Sequence, residues 1–217
     1  MLKLNDVTLF LADGRTDENS FKKSFFAIDY CLKKADFKKV IFQTSYRANL
    51  VGYGYQYIEP MNIGLYSHYL SSGRILEHID TKFVLIIQHD GFVLNGDNWD
   101  NEFLNYDYIG APWSVEATQR SHARVGNGGF SLRSRKLLEV CRAHFGGTYD
   151  NEDWRICVTG REMFESHGVK YAPIELATKF SIETHLADFD HDITKRFGFH
   201  GPRQFEAVNK AYGLNLK

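Results

Sequence analysis

Three short apolar runs constrain this chain most: Val7 to Ala12, Lys39 to Thr44 (KVIFQT) and Lys82 to Ile87 (KFVLII), each stopping at polar residues. Runs of this length, apolar without alternation, read as strands buried on both faces. Between the first two, Asn19 to Ala35 sets Phe21, Phe25, Ile28 and Leu32 at helical spacing, with Lys22, Lys23, Lys33 and Lys34 elsewhere on the surface; this is an amphipathic helix. A strand, helix, strand order with apolar strands pairs the strands in parallel through a right-handed crossover. The expectation is an α/β fold whose mostly parallel central sheet is flanked by helices. The 217 residues contain no repeat and no linker, so residues 1-217 are read as a single domain.

The remaining elements are read more coarsely. Gly52 to Pro60 is rich in Gly and Tyr and reads as irregular. Ile63 to Ile79 has helical periodicity broken by Gly73, and Tyr106 to Ile109 is a short strand. Ser131 to Arg142 and Asp153 to His167 read as helices, followed by a strand near Val169 to Ile174. With 43% hydrophobic and 24% charged residues, a disordered or fibrous chain is excluded. A net charge of -1 argues against a dedicated nucleic-acid binder, which needs a basic excess. No apolar stretch approaches the about 20 residues of a membrane span. The N-terminal MLKLNDVTLFLADG lacks the pattern of a secretory signal, so a cytoplasmic location is expected. Cys31, Cys141 and Cys157 form no CxxC pair and are expected to be reduced core residues. Aromatic residues reach 15%, a surplus that fits either a Tyr- and Phe-rich core or a pocket that stacks on rings.

Four stretches carry possible chemistry. Asp90 follows a central strand directly, in Gln88-His89-Asp90-Gly91. Open α/β sheets place ligands at that edge, and a carboxylate there can bind a divalent cation; the alternative is a simple turn. Val125 to Arg133 (VGNGGFSLR) reads as a glycine-rich loop entering a helix, with Asn127, Gly128 and Gly129 open to a ligand and free N-H groups for an anion. It matches neither the P-loop nor the dinucleotide fingerprint. In Tyr149 to Trp154 (YDNEDW), Glu152 and Asp153 either complement a helix dipole or supply one carboxylate that accepts a proton from an attacking hydroxyl. His200, in FGFHGP, is a candidate second ligand for a cation held by Asp90. Acids also exceed bases from Glu77 to Glu116 and the reverse holds from Ala117 to Gly147, which suits a cation and an anion bound side by side, or two solvated faces.

In that order, the strand-end Asp90, the GNGGF loop, the Asn151-Glu152-Asp153 triplet and the late His200 resemble the signature features of nucleotide-sugar glycosyltransferases with the GT-A fold. More narrowly, QHDGFVLN, YDYIGAPW and GNGGFSLRS resemble a small, poorly characterised glycosyltransferase family, over Val7 to Pro202. The resemblance implies a Rossmann-like GT-A domain that binds a nucleotide-diphosphate sugar. Asp90 and His200 would hold Mn or Mg against the diphosphate, Asp13 would lie near the nucleoside, and Asp153 would be the base of an inverting transfer. A UDP-sugar is the favoured donor, and the acceptor is a glycan or lipid-linked hydroxyl in polysaccharide or glycoconjugate synthesis, reached by peripheral membrane contact. One departure is plain: the first acid of the usual Asp-x-Asp is Gln88, which weakens the hold on the cation, leaves Gln88 to contact ribose, or removes the need for the cation. Two other classes fit part of the pattern. One is a binding module without turnover, and the other is a metal-dependent phosphoesterase, whose usual dense acid and histidine clusters are absent from the sequence.

Overall fold

The computed structural model describes residues 1–47, 54–118 and 123–217. Strand β1 (Leu2–Asp13) is followed by helix α1 (Glu18–Leu32) and strand β2 (Ala35–Thr44). Asp17 caps α1 by accepting from the Ser20 amide. The helix turns Ser20, Ser24, Ala27, Ile28 and Cys31 to the sheet, leaving Phe21, Phe25 and Leu32 half-buried at its flanks. Small residues on that face let the helix lie close to the strands.

The other main-sheet strands are β3 (Tyr55–Tyr57), β4 (Phe83–Ile87), β5 (Tyr108–Ile109) and β6 (Phe130–Ser134). Their order is β3-β2-β1-β4-β6-β5. β1 pairs in parallel with β2 and with β4, in the latter case from Val7↔Phe83 to Phe10↔Ile86, whereas β6 runs antiparallel between β4 and β5. The sheet is thus mostly parallel, and its central strands are buried on both faces. Leu9, Leu11, Leu85 and Ile87 pack under α1, while Phe10, Val84 and Ile86 pack against helix α2 (Ile63–Ser71) and the short turn after it. Gly73 ends α2 in a left-handed conformation (φ 74°), as its place in the pattern predicts.

After α3 (Val115–Thr118) and β6 come α4 (Arg135–Val140), α5 (Glu152–Trp154), α6 (Arg161–Ser166), α7 (Ile174–Phe180), β7 (Ser181–Ile182), β8 (Gly198–Phe199) and α8 (Phe205–Tyr212). β7 and β8 form a separate parallel pair. Buried aromatics, among them Phe92, Phe103, Phe130, Phe180, Phe197 and Phe199, pack into one core cluster, so part of the aromatic surplus is core. All three cysteines are buried and free, and burial pushes the Cys31 and Cys141 thiols up to about 12. Among the described residues no helix is long and apolar enough to cross a membrane.

Several local expectations are corrected. Ser131 to Arg142 is not one helix: Phe130–Ser134 is a strand, and Ser134 starts α4 by accepting from the Leu137 amide. The expected strand at Val169 to Ile174 is a single bridge, Tyr108↔Tyr171, because Pro173 starts α7. The helix over Asp153 to His167 is interrupted by a π-helical turn at Arg155–Thr159. Part of Gly52 to Pro60 is the edge strand β3, while Gly52 and Tyr53 lie outside the described residues. The opposed charge blocks meet at two points, Arg142 with Glu77 and Lys136 with Asp107, while Arg124 and Arg133 pair with Asp188 and Glu152 outside the acidic block and Arg135 donates to the Ile79 and Thr81 carbonyls. Arg120 of the basic block lies outside the described residues.

Candidate functional site

β4 ends in a tight turn in which Gln88 and Gly91 exchange both backbone hydrogen bonds, leaving His89 and Asp90 at the corner. The chain returns to this corner from far away. Val93 bridges Gly198, the Leu94 amide donates to Phe197, and the Gly201 amide donates to the Asp90 carbonyl. His200 is thereby delivered beside Asp90, with Nε2 3.7 Å from the Asp90 Oδ1. That carboxylate oxygen is buried and has no hydrogen-bond partner.

His200 is held at both ring nitrogens, Nδ1 lying 3.2 Å from Glu183 Oε1 and Nε2 lying 3.1 Å from Gln88 Oε1. Burial alone would lower its pKa, but Glu183 and Asp90 outweigh it and raise the imidazole above its ordinary value. Glu183 is raised by burial and lowered further by His200 and Trp113, for a net shift downward; Trp113 Nε1 donates to its other oxygen at 3.1 Å. Gln88 in turn donates to the Tyr66 hydroxyl at 2.9 Å. An unpartnered carboxylate oxygen beside an imidazole nitrogen and an amide oxygen fits a divalent cation once Nε2 gives up the proton it directs at Gln88 Oε1, with the other positions filled by ligand oxygens. Among the described residues no third acid, histidine or cysteine completes a closed cage.

The glycine-rich loop packs around this cluster. Its approach to a strand overturns the expected helix start, and its amides are engaged within the protein: Gly128 N-H donates to Asp153 Oδ2 at 2.9 Å, and Gly129 N-H to Asn127 Oδ1 at 3.0 Å. Asn127 adopts φ 75°, a strained conformation that its side chain stabilises by also accepting from the Phe130 amide. A side chain on Gly129 would start 2.0 Å from His200 Nε2, and one on Gly128 would start 2.0 Å from Glu152 Oε1. The space at these glycines is occupied by the protein's own groups.

The geometry separates the two adjacent acids. Glu152 is 7% exposed and bonds the fully buried Arg133 at 2.9 Å. Burial raises its pKa and the guanidinium opposes the rise. Its carboxylate is the counter-ion of a buried strand residue. Asp153 is half-buried, with Oδ2 on Gly128 N-H and Oδ1 on the Trp154 amide.

A cavity of about 260 Å³ opens at the carboxyl ends of β1 and β4. Leu11, Ala12, Met61, Ile63 and Tyr66 give it an apolar wall, and Asp13, Arg15, Gln88 and His89 a polar end. Asp13 is fully engaged, since Arg15 grips it through Nε and Nη2, both at 2.8 Å, and Ser24 donates to it at 2.6 Å. These partners outweigh burial and hold its carboxyl below the ordinary value.

The fold therefore gathers Asp90, His200, Gln88 and the loop of Asn127, Gly128 and Gly129 around one corner, with Asp153 of α5 bonded to that loop. Asp13 and His89 line the adjoining cavity, and Glu152 lies beneath. Arg15, Tyr66, Trp113, Arg133 and Glu183 were not apparent from sequence. Arg15 sits directly after Asp13-Gly14 at a strand end, which is a usable signal; Glu183 carries none.

This architecture is one that glycosyltransferases use. A glycosyltransferase involved in the glycosylation of the major capsid of PBCV-1 superposes with a TM-score of 0.52 at 13% identity, covering 96% of this chain and 99% of that one. The mannosyltransferase PcManGT from Pyrobaculum calidifontis, in complex with GDP-Man and Mn2+, gives 0.48 at 13% identity over 77% of this chain and 54% of that one, so the chain spans about half its length. The galactosyltransferase LgtC, in complex with donor and acceptor sugar analogs, gives 0.45 at 15% identity over 97% and 98%. The chain belongs to the family described as "Protein of unknown function (DUF5672)", which matches residues 56–200. No curated protein matches it.

Proposed function

We propose that this chain is a glycosyltransferase that moves a sugar from a nucleotide-diphosphate donor to an acceptor hydroxyl with inversion. The observation that carries the reading is the meeting of Asp90 and His200, distant in sequence, at the carboxyl edge of the central strand beside a cavity with an apolar wall and a polar end. The fold shared with glycosyltransferases supports it.

The nucleoside fits the apolar wall and the diphosphate fits the polar end. Asp90 and His200 would hold Mn or Mg, which when bound neutralises charge on the leaving diphosphate. Glu183 fixes the His200 ring, and Gln88 stands against its other nitrogen. Asp153, oriented by two backbone N-H groups, takes the proton of the attacking hydroxyl. The hydroxyl oxygen bonds to the anomeric carbon as the bond from that carbon to the phosphate oxygen breaks, its electron pair leaving with the nucleotide diphosphate. Glu152, already paired with Arg133, takes no part in that transfer. The acceptor is a glycan or lipid-linked hydroxyl.

Asp153→Asn tests the reading with a panel of UDP- and GDP-sugars. The variant keeps donor binding and loses about 100- to 10,000-fold in transfer rate. Unchanged turnover would overturn the base assignment, and release of free sugar with no glycosylated acceptor from the unmodified chain would overturn transfer in favour of hydrolysis.

A further inference from the structure

We infer that Arg15, gripped by Asp13, is a fixed phosphate-binding cation of the cavity, and that it lets the chain hold a nucleoside diphosphate without a divalent ion. The inference rests on the nucleotide-donor reading and deepens it.

Asp13 offers a ligand nothing. Its Oδ1 accepts from the Arg15 amide at 3.1 Å and from Nε, and its Oδ2 accepts from Nη2 and from Ser24. What the end of β1 presents to the cavity is therefore the guanidinium. The side-on grip uses Nε and Nη2 and leaves Nη1 turned away from Asp13, 3.5 Å from His89 Nε2. The Arg15 side chain is 40% exposed while Asp13 is 4%, so the carboxylate is the buried anchor and the arginine the open end. Held at two points, this arginine has lost much of the side-chain freedom that a ligand would otherwise have to restrict.

Asp17 and Asp90 also lie near this guanidinium, while Asp13 is already neutralised by it. His89 lies between the two groups, its Nδ1 3.5 Å from Asp90 Oδ1 and its Nε2 3.5 Å from Arg15 Nη1. Gln88 removes a second negative charge from the same rim. The polar end thus carries Arg15 in an open position with Asp13 neutralised beneath it, and Asp90 stands outside the cavity lining. The apolar wall of Met61, Ile63 and Tyr66 suits a base and ribose, which directs the phosphates of the same ligand to Arg15. The N-H groups left free on Nη1 and Nη2 form an end-on fork, which matches phosphate oxygens better than an ammonium does.

Calorimetry on the full chain in EDTA, with UDP and GDP against uridine and guanosine, tests the inference. The unmodified chain should bind one of the diphosphates under chelation. Arg15→Gln should weaken that diphosphate by about 10- to 100-fold, the range of a charge-assisted hydrogen bond, and leave the nucleoside unchanged. Arg15→Lys, which keeps the charge without the fork, should recover only part of the loss. If Arg15→Gln does not fold, inorganic pyrophosphate on the unmodified chain replaces it, and should displace the nucleotide in EDTA in a salt-dependent manner. Equal diphosphate binding by Arg15→Gln, diphosphate binding that requires Mn, or failure of pyrophosphate to compete would each overturn the role of Arg15 and leave the donor reading standing. No diphosphate binding with or without Mn would overturn both.

Discussion

A methyl group at Gly129 is the sharpest probe of this site. Built on the existing backbone, it starts 2.0 Å from His200 Nε2, 2.4 Å from Cδ2 and 2.6 Å from Cε1. Ordinary contact begins near 3.4 Å, so the ring must retreat by 3.4 − 2.0, or 1.4 Å. It has no easy direction in which to go, since Gly91 leaves only 2.8 Å between its own missing Cβ and the His200 Cδ2, and the Glu183 bond must stretch from 3.2 Å. Gly129 is not in a left-handed conformation, so the penalty is steric and not one of backbone strain. Overpacking of this kind costs about 1–3 kcal/mol of stability, and a displacement of about 1 Å at a positioned group costs about 100-fold in rate. Initial rates of sugar transfer are compared for Gly129→Ala, His200→Ala and the double variant. If the methyl acts through the imidazole, the double variant is no slower than His200→Ala alone. A Gly129→Ala enzyme with unimpaired turnover, or losses that multiply in the double variant, would refute the reasoning.

The buried pair gives a contrast between neighbours. Glu152→Gln strands the Arg133 guanidinium in the core and should cost about 3–5 kcal/mol in urea unfolding, whereas Asp153→Asn should change stability far less while removing transfer. The acid side of the stability profile tests Asp13. Its folded carboxyl is held below the ordinary 3.8, so its contribution is complete above that value and disappears as pH falls through the folded one. The stability gap between the unmodified chain and Asp13→Asn, followed by urea midpoints, should therefore close in acid, and a gap that persists below both values would contradict the ion pair. Ser134→Ala removes the cap of α4 and should cost about 0.5–2 kcal/mol by the same assay.

What could be read from the residues depends on how local the cause is. β1, α1, β2 and β4 were legible because a strand covered on both faces must be apolar at every position, and a helix beneath it must be periodic. β6 was not: FSLRS has the alternation of a strand, but over only five residues running straight into the α4 sequence it reads as the start of that helix. Arg133 is buried, and its partner Glu152 lies nineteen positions away, where no local pattern points to it. At the site, the order of Asp90, the GNGGF loop and His200 was visible, but the glycines were read as room for a ligand when that room is filled by His200 and Glu152. Glu183 reaches the imidazole because β7 and β8 pair and bring their flanking residues together, and Trp113 then bonds Glu183. Long-range pairing of this kind leaves no periodic trace in a single sequence.

The one reversed strand in the middle of the sheet has a consequence for how this architecture can vary. In an all-parallel sheet, only segments that leave a strand can decorate the carboxyl rim, and each must be followed by a full crossover. Because β6 points the other way, the segment that enters it arrives at that same rim, so Asn127–Gly129 and Asp90 become neighbours with no crossing connection between them. Insertions at the opposite rim, where β4 begins and β6 ends, should thus be absorbed with little effect on chemistry, while a single added residue ahead of Phe130 would shift every group that the reversed strand delivers.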